Sequence, residues 1–218
     1  MPRGRPRNFE RDVALRCAME VFWEKGYEGA QLTDLTKAMG INPPSFYAAF
    51  GSKEAAFREA LELYERTTVR GWIEAFGDDL DTCQSMRALL DYTIDVALAA
   101  PGPGGCMMVM STINAMPSSE ALRDLVESRR REGLRLITDR LERGVREGDL
   151  PSSTGVTRLA TFVGAIIQAL SLQARHGATR EELNAIVAFA MMAMPEPAGI
   201  ATYENTLDQG RCPSGSAS

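Results

Sequence analysis

The chain has 218 residues, of which 24 are lysine or arginine and 29 are aspartate or glutamate, so its formal net charge is −5 at neutral pH. Its 44% hydrophobic and 24% charged residues are typical of a globular protein of one or two domains, which excludes a chain that is disordered throughout. The longest uncharged stretch, residues 96–119, contains three prolines, so no apolar run of about 20 residues remains and no membrane-spanning helix is expected.

The basic N-terminus leads directly into Glu10 and Asp12, without the apolar run of about 7 to 15 residues that a secretory signal needs, so we expect a cytoplasmic protein. The four cysteines are widely spaced and predict reduced thiols rather than zinc ligands or disulfides. Because His176 is the only histidine, an imidazole base or a multi-histidine metal site has one candidate residue at most. We therefore expect neither an enzyme nor a bound metal or cofactor.

Apolar residues recur at helical spacing along almost the whole chain, which predicts an all-α fold of about nine helices. In chain order, these are expected at residues 9–25, 32–39, 43–50, 52 to about 72, 85–99, 106–115, 119–147, 155–175 and 179–194. The predicted segments are a basic disordered arm (1–8), a small helical domain (9–53), a larger helical domain (54–194) and a tail (195–218). The tail is expected to be disordered because Pro, Gly and Ser accumulate there.

The second and third predicted helices carry the signals of a helix-turn-helix. Gly40 ends the first of them with a residue suited to a left-handed conformation, Asn42 can cap the next, and Pro43 suits the first helical position. Two short helices joined in this way behind a longer supporting helix are typical of DNA-binding proteins. Ser45 and Tyr47 are expected on or near the outer surface of the second.

Residues 9–60 resemble the N-terminal domain of the TetR/AcrR family of transcriptional regulators. The residues that match are Phe22, Gly26-Tyr27, Leu32-Thr33-Asp34-Leu35, Met39-Gly40-Ile41, Phe46-Tyr47, Phe50 and Lys53-Glu54. The resemblance implies that the second short helix enters the major groove of DNA and that the start of the fourth helix contacts phosphate. The DNA-binding residues implied in this way are Thr33, Pro43, Pro44, Ser45, Tyr47 and Lys53.

The chain departs from the family pattern at two points. Ala48-Ala49 stands where the family often has a histidine or an aromatic residue, which removes candidate phosphate contacts. Ala30-Gln31 stands where the family often has a serine or threonine cap, so we expect the start of the second helix to be weaker by about 1 kcal/mol. Neither departure changes the predicted fold, because the apolar residues of the pattern are intact.

Positive charge is concentrated at the N-terminal end. Residues 1–53 contain eight basic and six acidic residues, a net charge of +2, which leaves −7 for the rest of the chain. The first residues also resemble the core of an AT-hook, whose arginines lie along a narrow A·T-rich minor groove. We expect Arg3, Arg5 and Arg7 to contact DNA in this way; the alternative is a solvated arm with no role in binding.

The larger domain is expected to pair two subunits. The resemblance implies a dimerisation role, and the last two predicted helices are apolar on more than one face, which is typical of helices between two layers. We expect them to form half of an intersubunit four-helix bundle; the alternative is that they are buried within one subunit. The expected dimer residues are Val163, Ile167, Leu170, Ala174, Ile186, Phe189 and Ala190.

The larger domain is also expected to bind an effector. Residues 106–116 contain four methionines, whose flexible thioethers suit an adaptable apolar pocket but equally suit core filling. Cys106 stands after two glycines at a predicted helix start, so its thiol is either a sensor of oxidants or electrophiles or a small buried side chain. The expected pocket residues are Trp72, Tyr92, Cys106, Met107, Met110, Asn114, Phe162 and Ile166.

Together these features predict a homodimeric transcriptional regulator that binds a palindromic double-stranded DNA operator and is released from it by a small-molecule effector of unknown identity. Its two recognition helices are expected to meet successive major grooves about 34 Å apart. The alternatives are a regulator that senses oxidants or electrophiles through Cys106, an all-helical enzyme and a protein–protein adaptor. The enzyme alternative lacks a credible base, phosphate loop or metal cluster.

Overall fold

The computed structural model describes residues 10–77, 79–100, 104–113 and 119–195. Within these ranges the regular secondary structure is helical and no strand is present, which confirms the predicted all-α class. The helices are α1 (Arg11–Gly29), α2 (Leu32–Met39), α3 (Pro43–Phe50), α4 (Lys53–Ala75), α5 (Thr82–Ala99), α6 (Met107–Ile113), α7 (Glu120–Glu147), α8 (Val156–Arg175) and α9 (Arg180–Met191).

Three predictions fall on residues outside the described ranges. These are the basic arm with Arg3, Arg5 and Arg7, the pocket residue Asn114, and the disordered tail from residue 196 onward. Each of them stays a prediction.

The helix-turn-helix forms where the sequence predicts it. Gly40 follows α2 in a left-handed conformation with φ of +65°, and the Asn42 side chain accepts a hydrogen bond of 2.9 Å from the backbone N–H of Ser45. Pro43 occupies the first turn of α3, where the absence of an N–H costs nothing. The Ser52 hydroxyl caps α4 by accepting from the N–H of Ala55 at 3.0 Å.

The start of α2 has a cap that the sequence reasoning missed. The carboxylate of Asp34 accepts a 3.0 Å hydrogen bond from the N–H of Gln31 and forms a 2.8 Å ion pair with Lys25 of α1. The hydrogen bond from Lys25, followed by that from the Gln31 backbone, lowers the pKa of Asp34. The expected weakness of this helix start is therefore offset by a carboxylate in its first turn, where the helix dipole favours negative charge.

The molecule has two hydrophobic cores, and α4 passes from one to the other. The first lies between α1, α2, α3 and the N-terminal part of α4, and it extends beyond the predicted boundary at residue 53 to reach Tyr64 of α4 and Met107 of α6. The second lies between α5, α7, α8 and α9 and includes Ala75 at the end of α4. A change in the angle of α4 would therefore be felt in both cores.

A buried arginine joins α7 to the start of α5. The Arg140 guanidinium, 4% exposed, donates to the hydroxyls of Ser85 at 3.0 Å and Thr82 at 2.8 Å and to the carbonyl of Leu80 at 2.7 Å. Thr82 in turn donates its backbone N–H and its hydroxyl to the Asp149 carboxylate, each at 2.9 Å. Burial lowers the pKa of Arg140, and these partners compensate for the lost hydration of its charge.

Gly144→Ala is expected to lower the free energy of unfolding by about 1 to 3 kcal/mol, because overpacking forces a shift of well-packed neighbours. A Cβ at this position of α7 would clash with the Thr82 hydroxyl oxygen, inside the Arg140 network. Gly133→Ala in the same helix is the matched control. Its Cβ would make an ordinary 3.5 Å contact with Trp72, so this variant is expected to gain about 0.4 to 1 kcal/mol from reduced chain entropy.

Urea unfolding followed by far-ultraviolet circular dichroism measures both effects. A lower free energy of unfolding for Gly144→Ala together with a higher one for Gly133→Ala would support this close approach of α7 to α5. Equal changes in the two variants would contradict it.

Candidate nucleic-acid interface

Helix α3 is buried on one side and open to solvent on the other. Phe46 and Phe50 are buried in the first core, and their rings lie 5.4 Å apart. Pro43 and Pro44 are exposed, and Tyr47 is 51% exposed with its ring packed edge-on against Phe46 at 5.5 Å. The open side therefore carries an aromatic ring in a fixed orientation on a helix short enough to enter a major groove.

The other predicted DNA-binding residues lie around α3. Ser45 is half-buried and donates its N–H to the Asn42 cap, and Thr33 is exposed on α2. Lys53 opens α4 with its ammonium nitrogen 4.5 Å from the centre of the Tyr27 ring, a cation–π contact. Partial burial lowers the pKa of Lys53. The structure thus places these residues on neighbouring helices of one small domain.

Arg11 is a residue that the sequence reasoning counted only for its charge. Its Nη2 atom lies 2.7 and 2.6 Å from the two carboxylate oxygens of Glu59 in α4. Its guanidinium carbon is 4.9 Å from the centre of the Phe50 ring, and its donors approach the carbonyl oxygen of Ala49 at 3.4 Å. The partners are 38 to 48 residues away in the sequence, so no local pattern could have indicated them.

The comparisons with known proteins cover both cores. Residues 14–60 match the family model of the bacterial regulatory proteins of the tetR family, and residues 83–192 match that of the tetracyclin repressor-like C-terminal domain. The chain is 34% identical over 198 residues to the HTH-type transcriptional repressor ComR of Escherichia coli K12, an alignment that covers 89% of this chain and 93% of ComR. This chain belongs to the TetR family of transcriptional regulators.

Two further relatives also match most of the chain. The HTH-type transcriptional repressor BdcR of Escherichia coli K12 is 28% identical over 187 residues, which covers 86% of this chain and 90% of BdcR. A cysteine mutant of the regulator CifR, solved in complex with 26-base-pair double-strand operator DNA, is 43% identical with a TM-score of 0.82. That match covers 88% of this chain and 100% of the CifR chain.

The two domains of this TetR-family chain meet at a glycine turn before α6. The indole N–H of Trp23 in α1 donates a buried 2.7 Å hydrogen bond to the carbonyl of Gly105. Gly104 and Gly105 have φ of +86° and +93°, and a Cβ on either would lie 3.0 to 3.1 Å from backbone carbonyl oxygens of α5 or α8. A side chain at either position would be strained by this backbone conformation and by this close spacing. Arg175 of α8 also reaches α1 by donating to the carbonyl of Glu24.

Cys106 is part of this junction rather than an isolated thiol. It is half-buried, its N–H donates to the Ser171 hydroxyl at 2.6 Å, and the hydroxyl of Tyr64 donates to its sulfur at 3.1 Å. Burial and the proximity of Cys106 raise the pKa of Tyr64 well above its usual value, so the phenol stays protonated. The Trp23 and Tyr64 rings meet edge-on at 4.9 Å, which ties α1 to α4 at the same place.

The described residues among those predicted to line an effector pocket lie on or beside four helices, α4, α5, α6 and α8. Met107 and Met110 are buried, the former in the first core. Tyr92 lies over Gly71 and donates its hydroxyl to the carbonyl of Thr68 at 3.1 Å. Two surface clefts have volumes of about 390 and 180 Å³; Phe162 lines the first, and the second lies between α1 and α4.

Trp72 and the α8 residues complete the predicted pocket set. The Trp72 ring packs against Phe76, the residue that follows α4, and approaches Gly133 of α7. Ile166 is half-buried against the second core, whereas Phe162 is 36% exposed and lines the cleft of about 390 Å³ together with Ala193. Phe162 therefore lies on the outward side of α8. Among the described residues, no group of three His, Cys, Asp or Glu side chains could hold a metal ion.

Most of the predicted dimer residues are buried within the single subunit. Five of the seven are at most 8% exposed and form part of its core; these are Val163, Ile167, Leu170, Ala174 and Ala190. Ile186 is half-buried, and Phe189 is 74% exposed. The outward apolar residues of this region are instead Phe162, Phe189 and Met192, the last 79% exposed. We call these three residues the outer face.

Helix α8 is long and apolar enough to cross a membrane by length and composition alone. No such helix was expected from the uncharged stretches of the sequence. Only 28% of its most apolar window is buried within the subunit. One such helix is weak support for a membrane span, because core helices of soluble proteins pass the same test. The low burial agrees with an apolar surface that needs a cover, and the neighbouring outer face extends that surface onto α9.

Proposed function

We propose that this TetR-family protein is a homodimeric, cytoplasmic repressor that binds a palindromic DNA operator and releases it when a small molecule binds the larger domain. The observation that carries the proposal is the exposed side of α3, with Tyr47 fixed against Phe46 on a buried aromatic base. The regulator relatives, and the CifR structure that holds operator DNA, support it.

In this proposal the exposed side of α3 lies in the major groove. Tyr47, with Pro43, Pro44 and Ser45 in the first turn of α3, faces base edges and thymine methyl groups, which carry sequence information. Thr33 and Lys53 flank the helix and contact the phosphate backbone, which sets orientation. Because Lys53 is held over Tyr27, its ammonium group stays close to the start of α4 while it meets a phosphate.

The outer face pairs two subunits in this proposal. Phe162 lines a cleft together with Ala193, the residue after Met192, and Phe189 is about one helical turn before Met192. A twofold axis through this surface would relate the two α3 helices by symmetry. Their half-sites are then expected one helical turn of DNA apart, about 34 Å.

Effector binding is proposed to act through the glycine turn and α4. The turn contacts α1, α4, α5 and α8, so a side chain displaced in the second core can shift Trp23 and Tyr64 together. Met107 and Met110 are buried, and their flexible thioethers suit an apolar effector. A coupling of about 1 to 3 kcal/mol between the two sites is typical of such regulators. A sensor based on Cys106 is not favoured, because the thiol is packed within this junction.

Fluorescence anisotropy with DNA from upstream of the chain's own coding sequence tests the proposal. The wild-type protein is expected to bind one fragment more tightly than a scrambled duplex and to lose affinity steeply with salt. Lys53→Ala is expected to weaken binding to both duplexes and to reduce the slope of log affinity against log salt by about 0.9 for each phosphate that is no longer neutralised. The slope falls by about twice that amount if Lys53 of both subunits binds phosphate.

Lys37→Ala is the matched control, since Lys37 is an exposed lysine of α2 that the proposal does not place on DNA. It is expected to leave the slope closer to that of the wild type. Equal slopes for Lys53→Ala and wild type would remove Lys53 from the interface. A wild-type protein that does not distinguish its upstream DNA from a scrambled duplex would contradict the proposed function.

A further inference from the structure

The recognition helix has few ties to the rest of its domain. Helix α3 has eight residues, and its buried side chains are Phe46 and Phe50. Its first turn is fixed by the Asn42 cap, and its last turn passes directly into Gly51 and the α4 cap. Aromatic packing contacts alone leave a short helix free to change its angle relative to its neighbours. The angle of α3 therefore depends on a side chain of another helix that contacts the C-terminal end of α3.

Arg11 of α1 is that side chain. It meets the last turn of α3 in two ways, through the face of the Phe50 ring at 4.9 Å and through the carbonyl oxygen of Ala49 at 3.4 Å. Both contacts are favourable for a cation, since the C-terminal end of a helix and an aromatic face are each electronegative. The third partner, Glu59 of α4, holds the guanidinium in place with oxygens at 2.6 and 2.7 Å.

We propose that Arg11 and Glu59 form a positioning pair that fixes the angle of the recognition helix on DNA. The guanidinium is a planar group with donors in fixed directions, and here they point at protein acceptors. The pair links three helices at the point where they converge. This inference rests on the proposed function, because it concerns how tightly α3 fits an operator.

The opposite interpretation is that Arg11 is one more basic residue that attracts phosphate. The two interpretations predict opposite changes in DNA affinity when Glu59 is replaced by a neutral residue. Removing a carboxylate near DNA makes the protein more positive, so electrostatic attraction alone would strengthen binding. If the carboxylate holds Arg11 in position, removing it would weaken binding to the operator despite the gain in charge.

Glu59→Gln is therefore the decisive variant, with Glu62→Gln as the matched control. Glu62 is exposed on the same helix three residues further on, and the substitution changes the charge by the same amount. Affinities are measured by fluorescence anisotropy on a duplex obtained by selection from random sequences with the wild-type protein, and on a scrambled duplex. Thermal unfolding is measured in parallel, because an ion pair this exposed contributes little to stability.

The inference predicts that Glu59→Gln weakens operator binding by about tenfold, since one charge-assisted hydrogen bond is removed in each subunit of the dimer. Binding to the scrambled duplex is expected to stay within about twofold, and the melting temperature within about 2 °C. Arg11→Gln should likewise lower operator affinity, without the reduction in salt slope that removal of a phosphate-binding cation produces. Glu62→Gln should leave operator affinity equal or higher.

Operator binding by Glu59→Gln that equals or exceeds that of the Glu62→Gln control would overturn the inference, as would a salt slope reduced by Arg11→Gln. Either result would leave the proposed function standing, because the wild-type protein would still select its duplex. If selection with the wild-type protein yields no preferred duplex, the proposed function fails, and the inference fails with it.

Discussion

Phe189→Glu is expected to separate the two subunits and to lower operator affinity by about 10²- to 10⁴-fold, because two linked half-sites bind far more tightly than one. Phe189 is 74% exposed in the single subunit and belongs to the outer face. A carboxylate buried there on dimerisation would lose its hydration without a partner. In a twofold interface the substitution places two such charges at one interface, which doubles the cost.

Ile73→Glu is the matched control for this prediction. Ile73 is also a large apolar residue with high exposure, 64%, but it lies near the end of α4 rather than on α8 or α9. Sedimentation velocity should show a monomer for Phe189→Glu and a dimer for Ile73→Glu at the same micromolar concentration. A dimeric Phe189→Glu protein with full operator affinity would place the subunit interface elsewhere.

Tyr47→Ala is expected to lower operator affinity by about 1 to 3 kcal/mol for each half-site, or about 2 to 6 kcal/mol for the dimer. The reason is the geometry of α3: the ring is the largest side chain on its exposed side and is held edge-on against buried Phe46. Binding to a scrambled duplex is expected to change little, since Tyr47 carries no charge. The weaker binding should therefore appear as reduced specificity.

Tyr47→Phe separates the role of the hydroxyl from that of the ring. If the ring contacts a thymine methyl or a sugar, this variant keeps most of the affinity; if the hydroxyl bonds to a base or a phosphate, it behaves like Tyr47→Ala. Competition anisotropy with operator and scrambled duplexes measures both variants. Full operator affinity and specificity in Tyr47→Ala would remove this residue from the interface.

The bounds of α2 and α3 could be predicted because the signals that set them are local. Gly40, Asn42 and Pro43 each act on the backbone within one turn of their own position, and Ser52 does the same for α4. The cap at α2 was missed because its carboxylate stands three residues inside the helix instead of at the cap position. A search for acidic residues in the first turn would have found Asp34.

The faces of α8 and α9 could not be predicted, because both helices are apolar on more than one side. The spacing of Val163, Ile167 and Leu170 is that of any packed helical stripe, and it does not show whether the neighbour belongs to the same subunit. The structure puts this stripe inside the subunit and leaves Phe162 and Phe189 outside. The same ambiguity placed Phe162 in the predicted pocket.

The contacts that join distant parts of the chain also gave no sequence signal. The bond from Trp23 to Gly105 spans 82 residues, and the pair of Arg11 with Glu59 spans 48. Neither the residue types nor their neighbours distinguish them from ordinary core and surface positions. Only the fold brings them together, and these are the contacts that position α1 and α3.

Methylation interference on the selected operator tests most directly whether α3 lies in the major groove. Methylation of guanine N7 modifies the major groove, and methylation of adenine N3 modifies the minor groove. We predict that N7 methylation blocks binding in two clusters whose centres are about 10 base pairs apart, and that Tyr47→Ala weakens discrimination at those positions. Interference confined to adenine N3, or a pattern of N7 interference without twofold symmetry, would contradict the account.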